Sequence, residues 1–108
     1  MTVHRQLVAP DFEVPVSFET GGFRLRMLSV RDLVIDYEAV MASVDHLRST
    51  YSLISGSEWP VGLTIEEDLV DLGWHQKEFR DRSSFAYTVV SLDEMRCLGC
   101  VYLNPTSK

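Results

Sequence analysis

The sequence predicts an α+β domain, with two helices covering an antiparallel sheet of three or more strands in the order β-α-α-β-β. Three observations carry this expectation: apolar and basic residues alternate at 23–28, helical periodicity runs twice between residues 31 and 82, and two β-branched and aromatic runs close the chain. A chain of 108 residues suits one domain, which buries roughly two-thirds of the surface its unfolded form exposes. With 45% hydrophobic and 24% charged residues, it has the apolar content for a core and too much for intrinsic disorder.

Residues 1–22 lack a sustained period and are punctuated by Pro10, Pro15, Gly21 and Gly22, so they are expected to form an extended lead-in with room for a short strand. Residues 23–108 form the domain proper. Phe23-Arg24-Leu25-Arg26-Met27-Leu28 alternates with period two, the sign of a half-buried strand. From Arg31 to about Arg48, Leu33, Val34, Tyr37, Val40, Met41, Val44 and Leu47 recur at spacings of three and four, which predicts one amphipathic helix with Asp32, Asp36 and Asp45 mostly outside its apolar stripe. Ser49 to Leu63 is expected to be a loop, broken by Gly56, Pro60 and Gly62.

Thr64-Ile65-Glu66-Glu67 has the spacing of a capping box and should start a second helix. Acidic residues crowd its positive end and Lys77, Arg80 and Arg82 its negative end, while Ile65, Leu69, Leu72 and Phe79 share its apolar face. His75 and Glu78, three apart, could suggest a ligand or a base, but a solvated helix face is the simpler reading. Phe85–Val90 and Cys97–Leu103 then read as an antiparallel hairpin around residues 91–96.

The only cysteines form the sequence Cys97-Leu98-Gly99-Cys100. In a regular strand their side chains would point to opposite faces with Cα atoms about 10 Å apart, too far for a disulfide. No helix follows to lower a thiol pKa, and the histidines at 4, 46 and 75 offer no paired zinc motif, so a structural strand is expected and no metal site. Gly99 marks a bulge or a close approach.

Ten basic against sixteen acidic residues give a net charge of -6, with the arginines scattered, which argues against nucleic acid and against electrostatic attachment to an anionic membrane. Apolar runs fall far short of a membrane span, and the first residues lack a leader pattern. A cytoplasmic protein is the expectation. No G-x-S-x-G elbow accompanies Ser83 and Ser84.

The segments FRLRMLSVRD, DYEAVMAS, DLGWHQKEF and SFAYTVVSLDEMRCLGCVYLNP, taken in order over residues 23 to 105, resemble the N-terminal half of the GNAT N-acetyltransferase superfamily. The resemblance implies a first strand, two helices and consecutive antiparallel strands, the last reading LGCVYL. It also implies an acetyl-CoA cofactor in the parent fold, with an acceptor amine on a small molecule or a protein. The family's Q/R-x-x-G-x-G/A pyrophosphate loop is not in this sequence, so no catalytic or cofactor-binding residue is assigned, acetyl-CoA is not expected to bind tightly to this chain alone, and the half-fold is expected to be inactive by itself. Tyr51, Glu58 and Trp59, in the loop that commonly frames the acceptor, are the implied substrate-binding residues; alternatively Trp59-Pro60 plugs the core. A non-catalytic self-associating module is the other expectation. In either case the exposed strand Cys97 to Leu103 would pair with a second copy as a homodimer.

Overall fold

A computed structural model describes residues 6–44, 46–47 and 61–105. Tyr51, Glu58 and Trp59 lie outside these residues. The elements are β1 (Ser17–Glu19), β2 (Arg24–Met27), α1 (Leu33–Ala42), α2 (Ile65–Arg80), β3 (Phe85–Val90) and β4 (Cys97–Leu103). The strands form one antiparallel sheet in the order β1-β2-β3-β4. The architecture is α+β as expected, with one strand, β1, added in front from within the lead-in. No helix among the described residues is long and apolar enough to cross a membrane.

The lead-in is tied down. Leu7 N–H donates to the Arg82 carbonyl at 2.7 Å, and the Arg82 guanidinium donates back to the carbonyls of Ala9 and Phe12, both at 2.7 Å. Arg82 does this from a left-handed backbone, φ 62°, which these contacts hold in place. The Tyr87 hydroxyl donates to the Pro15 carbonyl at 2.7 Å. Val8 and Val14 thereby reach the cluster of Leu25, Met27, Phe79, Phe85 and Tyr87 and close one face of the sheet.

The other face carries the helices. The chain leaves β2 through a 3-10 turn, Val30–Asp32, in which Ser29 N–H donates to the Asp32 carboxylate at 3.0 Å. The expected helix is interrupted at Ser43, whose N–H turns back to the Val40 carbonyl, and helical backbone resumes at residues 44 and 46–47, with Leu47 N–H donating to the Ser43 carbonyl at 3.0 Å. Helix α2 begins with the predicted capping box: Glu67 N–H donates to Thr64 Oγ1 at 3.1 Å and Thr64 N–H donates to Glu67 Oε1 at 3.0 Å.

The inward stripes differ from the expected ones. On α2, Asp68, Leu72 and Phe79 are buried, whereas Ile65 and Leu69 are exposed. On α1, Asp36 is buried and Val34 faces out. Leu72 packs with Leu28, Ala86 and Leu33, and Phe79 meets the rings of Phe85 and Tyr87 edge-on at 5.0 and 5.5 Å. Each helix therefore spends one core position on an aspartate, and these two aspartates lie together.

Candidate functional site

The ladder between β3 and β4 runs Phe85↔Leu103, Ala86↔Tyr102, Tyr87↔Val101, Thr88↔Cys100 and Val89↔Gly99, after which Val90 pairs with Cys97. Leu98 is the residue left over, so the strand bulges there. Thr88 and Val90 point to one face, and their partners Cys100 and Cys97 must do the same. This corrects the expectation that the thiols diverge: alternation was counted over three residues, and the bulge removes one of them from the ladder.

The contacts agree with the register. Cys97 Sγ lies 3.5 Å from Thr88 Oγ1 and 3.4 Å from the Gly99 carbonyl, and Cys100 Sγ donates to Asp36 Oδ1 at 3.9 Å. Both cysteines are free thiols. The two sulfurs and an Asp36 oxygen all lie within 4.8 Å of one another.

Asp36 is 7% exposed and Asp68 4%. Burial, then a hydrogen bond with Asp68, then the charges of Asp68, Cys97 and Asp32 push the Asp36 carboxyl up to about 8. Asp68 is raised as well, chiefly by burial, against its hydrogen bond with Asp36. The Cys97 thiol is lowered, first by a hydrogen bond from Cys100 and also by Thr88 and the Gly99 backbone, against burial. Cys100 moves the other way, raised by Cys97 and by burial. Near neutral pH, therefore, Asp36 and Cys100 hold protons and Cys97 is the group disposed to carry negative charge.

A stability prediction follows for Asp36, whose folded pKa lies above its ordinary 3.8. The native state binds the extra proton, so this group's contribution falls as pH rises from about 4 to about 8. In buffer holding a metal chelator, Asp36→Asn should gain stability relative to the parent as pH rises through that window, by at most about 1.4 kcal/mol per pH unit. Urea unfolding at pH 4, 6 and 8 measures it; a difference that stays constant with pH would mean that Asp36 ionises normally.

The thiols and Asp36 floor a cleft of about 320 Å³ between α1 and β4, with Val40, Ser43, His46 and Tyr102 among its walls. His75 stands outside this cleft lining, its ring 5.3 Å from that of Tyr102 and its Nδ1 3.8 Å from Glu78 Oε1. It is half-buried against β4 rather than on the solvated face expected for it.

On the same sheet face, a partly buried charge network centres on Arg26. The Arg26 guanidinium lies 2.7 Å from Asp32 Oδ1 and 2.6 Å from Glu94 Oε1. Both contacts are off the N–H directions, so they act as charge pairs more than as aimed hydrogen bonds. Glu94, at φ 59° in the turn between β3 and β4, also pairs with Arg24.

Sequence reasoning missed Asp36 and Asp68, although a signal was present. At about 100° per residue, Asp36 lies about 60° from Leu33 and Val34 about 100°, so the carboxylate is nearer the middle of the stripe. The implied acceptor residues Tyr51, Glu58 and Trp59 are not placed by the described structure. Compared with protein-family models, with curated proteins and with solved structures, the chain matches none.

Proposed function

We propose that this chain forms the acceptor-side half of a GNAT-like, acetyl-CoA-dependent N-acetyltransferase fold. The observation that supports the reading is the order of parts: β2, two helices, then β3 and β4 as consecutive antiparallel strands, with β3 central between β2 and β4. Tyr51, Glu58 and Trp59 would frame the acceptor, an amine on a small molecule or a protein. Acetyl-CoA would be held chiefly by the parent fold's pyrophosphate loop, which this sequence does not contain. Free thiols suit a cytoplasmic setting.

A specific observation favours a second reading, self-association without catalysis. Among the described residues β4 pairs only with β3, and its Leu98, Val101, Tyr102 and Leu103 are exposed. An apolar strand with an open row of amides and carbonyls pairs readily with another strand, here β4 of a second copy.

Calorimetric titration with acetyl-CoA at high protein concentration, paired with sedimentation, tests both. Micromolar binding by an associated species would mean that two copies together complete a cofactor site. No detectable heat would leave the acetyltransferase likeness as ancestry and self-association as the activity, which a monomer at high micromolar concentration would overturn.

A further inference from the structure

We propose that Cys97, Cys100 and Asp36 form a binding site for a divalent, sulfur-preferring metal ion of the zinc class, held between β4 and α1 with its remaining position open to the cleft. The inference is independent of the acetyltransferase reading. It rests on the Leu98 bulge, which turns both thiols of the C-x-x-C sequence to the face that α1 covers. Without the bulge, one sulfur would lie on the other side of the sheet.

The geometry is close to what such an ion needs. Tetrahedral zinc, with sulfur at about 2.3 Å and carboxylate oxygen at about 2.0–2.2 Å, sets its ligand atoms about 3.5–3.8 Å apart. The three donor atoms are within 4.8 Å of one another, and the Cys100 to Asp36 separation is 3.9 Å. Closing the set takes about 1 Å of side-chain adjustment at most. Two thiolates and one carboxylate select zinc over magnesium or calcium, which take oxygen ligands.

The surroundings also fit a cation. Thr88 Oγ1 sits 3.5 Å from Cys97 Sγ, a partner that would orient one of the ligands. Asp68 Oδ2 is buried with no hydrogen-bond partner among the described residues. Arg26, the buried guanidinium on this face, is already committed to Asp32 and Glu94. A divalent ion would balance the charge of two thiolates, and the fourth position, facing the cleft wall that includes His46, would take water or an added ligand.

The test uses the full chain, reduced with a phosphine and stripped with a chelator, then titrated with Co²⁺ and, by competition against a chromophoric chelator, with Zn²⁺. The expected result is one equivalent of Co²⁺ with a sulfur-to-metal charge-transfer band that Zn²⁺ abolishes. Cys97→Ser and Cys100→Ser should each weaken Zn²⁺ binding by roughly tenfold or more and diminish the band, while Asp36→Asn weakens binding and keeps sulfur absorption. Circular dichroism in chelator checks that each variant folds. Absence of a sulfur band in the unmutated protein overturns the proposal whatever the variants do. So does Zn²⁺ affinity that survives folded Cys97→Ser/Cys100→Ser unchanged, which would put the ion elsewhere.

Discussion

Arg26→Met is expected to lower folding stability by about 3 kcal/mol, and adding Asp32→Asn is expected to return most of that loss. Asp32 is 2% exposed and the Arg26 side chain only 12%, so each has given up water for the other. Removing the guanidinium leaves a carboxylate in the interior without its counter-charge, and that uncompensated burial is the main cost. Asparagine at 32 removes the charge while keeping a side-chain oxygen for the Ser29 N–H, which Asp32 now accepts at 3.0 Å. Glu94 is about a third exposed and can turn to water, so it should matter less. A double-mutant cycle by urea unfolding reads the coupling directly. A single-mutant cost below about 1 kcal/mol, or additive effects, would show that the pair is solvated in practice.

Leu72→Ala should cost about 2–5 kcal/mol, against less than about 1.5 kcal/mol for Leu72→Met, because alanine leaves a void beside Leu28 and Ala86 that rigid strand backbone cannot fill. Leu69 supplies the control. The apolar pattern alone puts Leu69 and Leu72 on one face, yet Leu69 is 42% exposed and Leu72 is 2%. Leu69→Ala should therefore stay within about 1 kcal/mol. Comparable losses at the two positions would mean that α2 is rolled toward Leu69, displacing Asp68 from its place beside Asp36.

The elements that were legible in the sequence are those whose signals are local. Thr64 and Glu67 announce a helix start that needs nothing beyond four consecutive residues, and the structure forms both of its hydrogen bonds. The β3–β4 hairpin was equally plain. What stayed hidden depends on pairs of distant groups. Asp36 and Asp68 read as solvated because an isolated carboxylate belongs in water, and only their meeting across two helices makes their burial intelligible. Arg24 and Arg26 looked like the wet side of a strand, whereas Arg26 is buried against Asp32 and Glu94 and Arg24 pairs with Glu19 and Glu94. The thiol pair was lost to a single unpaired residue, Leu98, which Gly99 hinted at without fixing its register.

The joint between β2 and β3 has a consequence for a chain emerging from the ribosome. The β1–β2 hairpin closes through residues 20–23, but its inner partner β3 comes only after residues 28–84 have been made. Until then β2 offers an open edge to any neighbouring nascent chain. Arg26 stands on that edge beside an Arg24 already paired with Glu19 of β1, and its charge repels the approach of an identical strand. Once β3 docks and its turn brings in Glu94, Arg26 is enclosed between Asp32 and Glu94, so a residue that guards the unfinished sheet becomes part of its interior, while Arg24 stays partly exposed between Glu19 and Glu94.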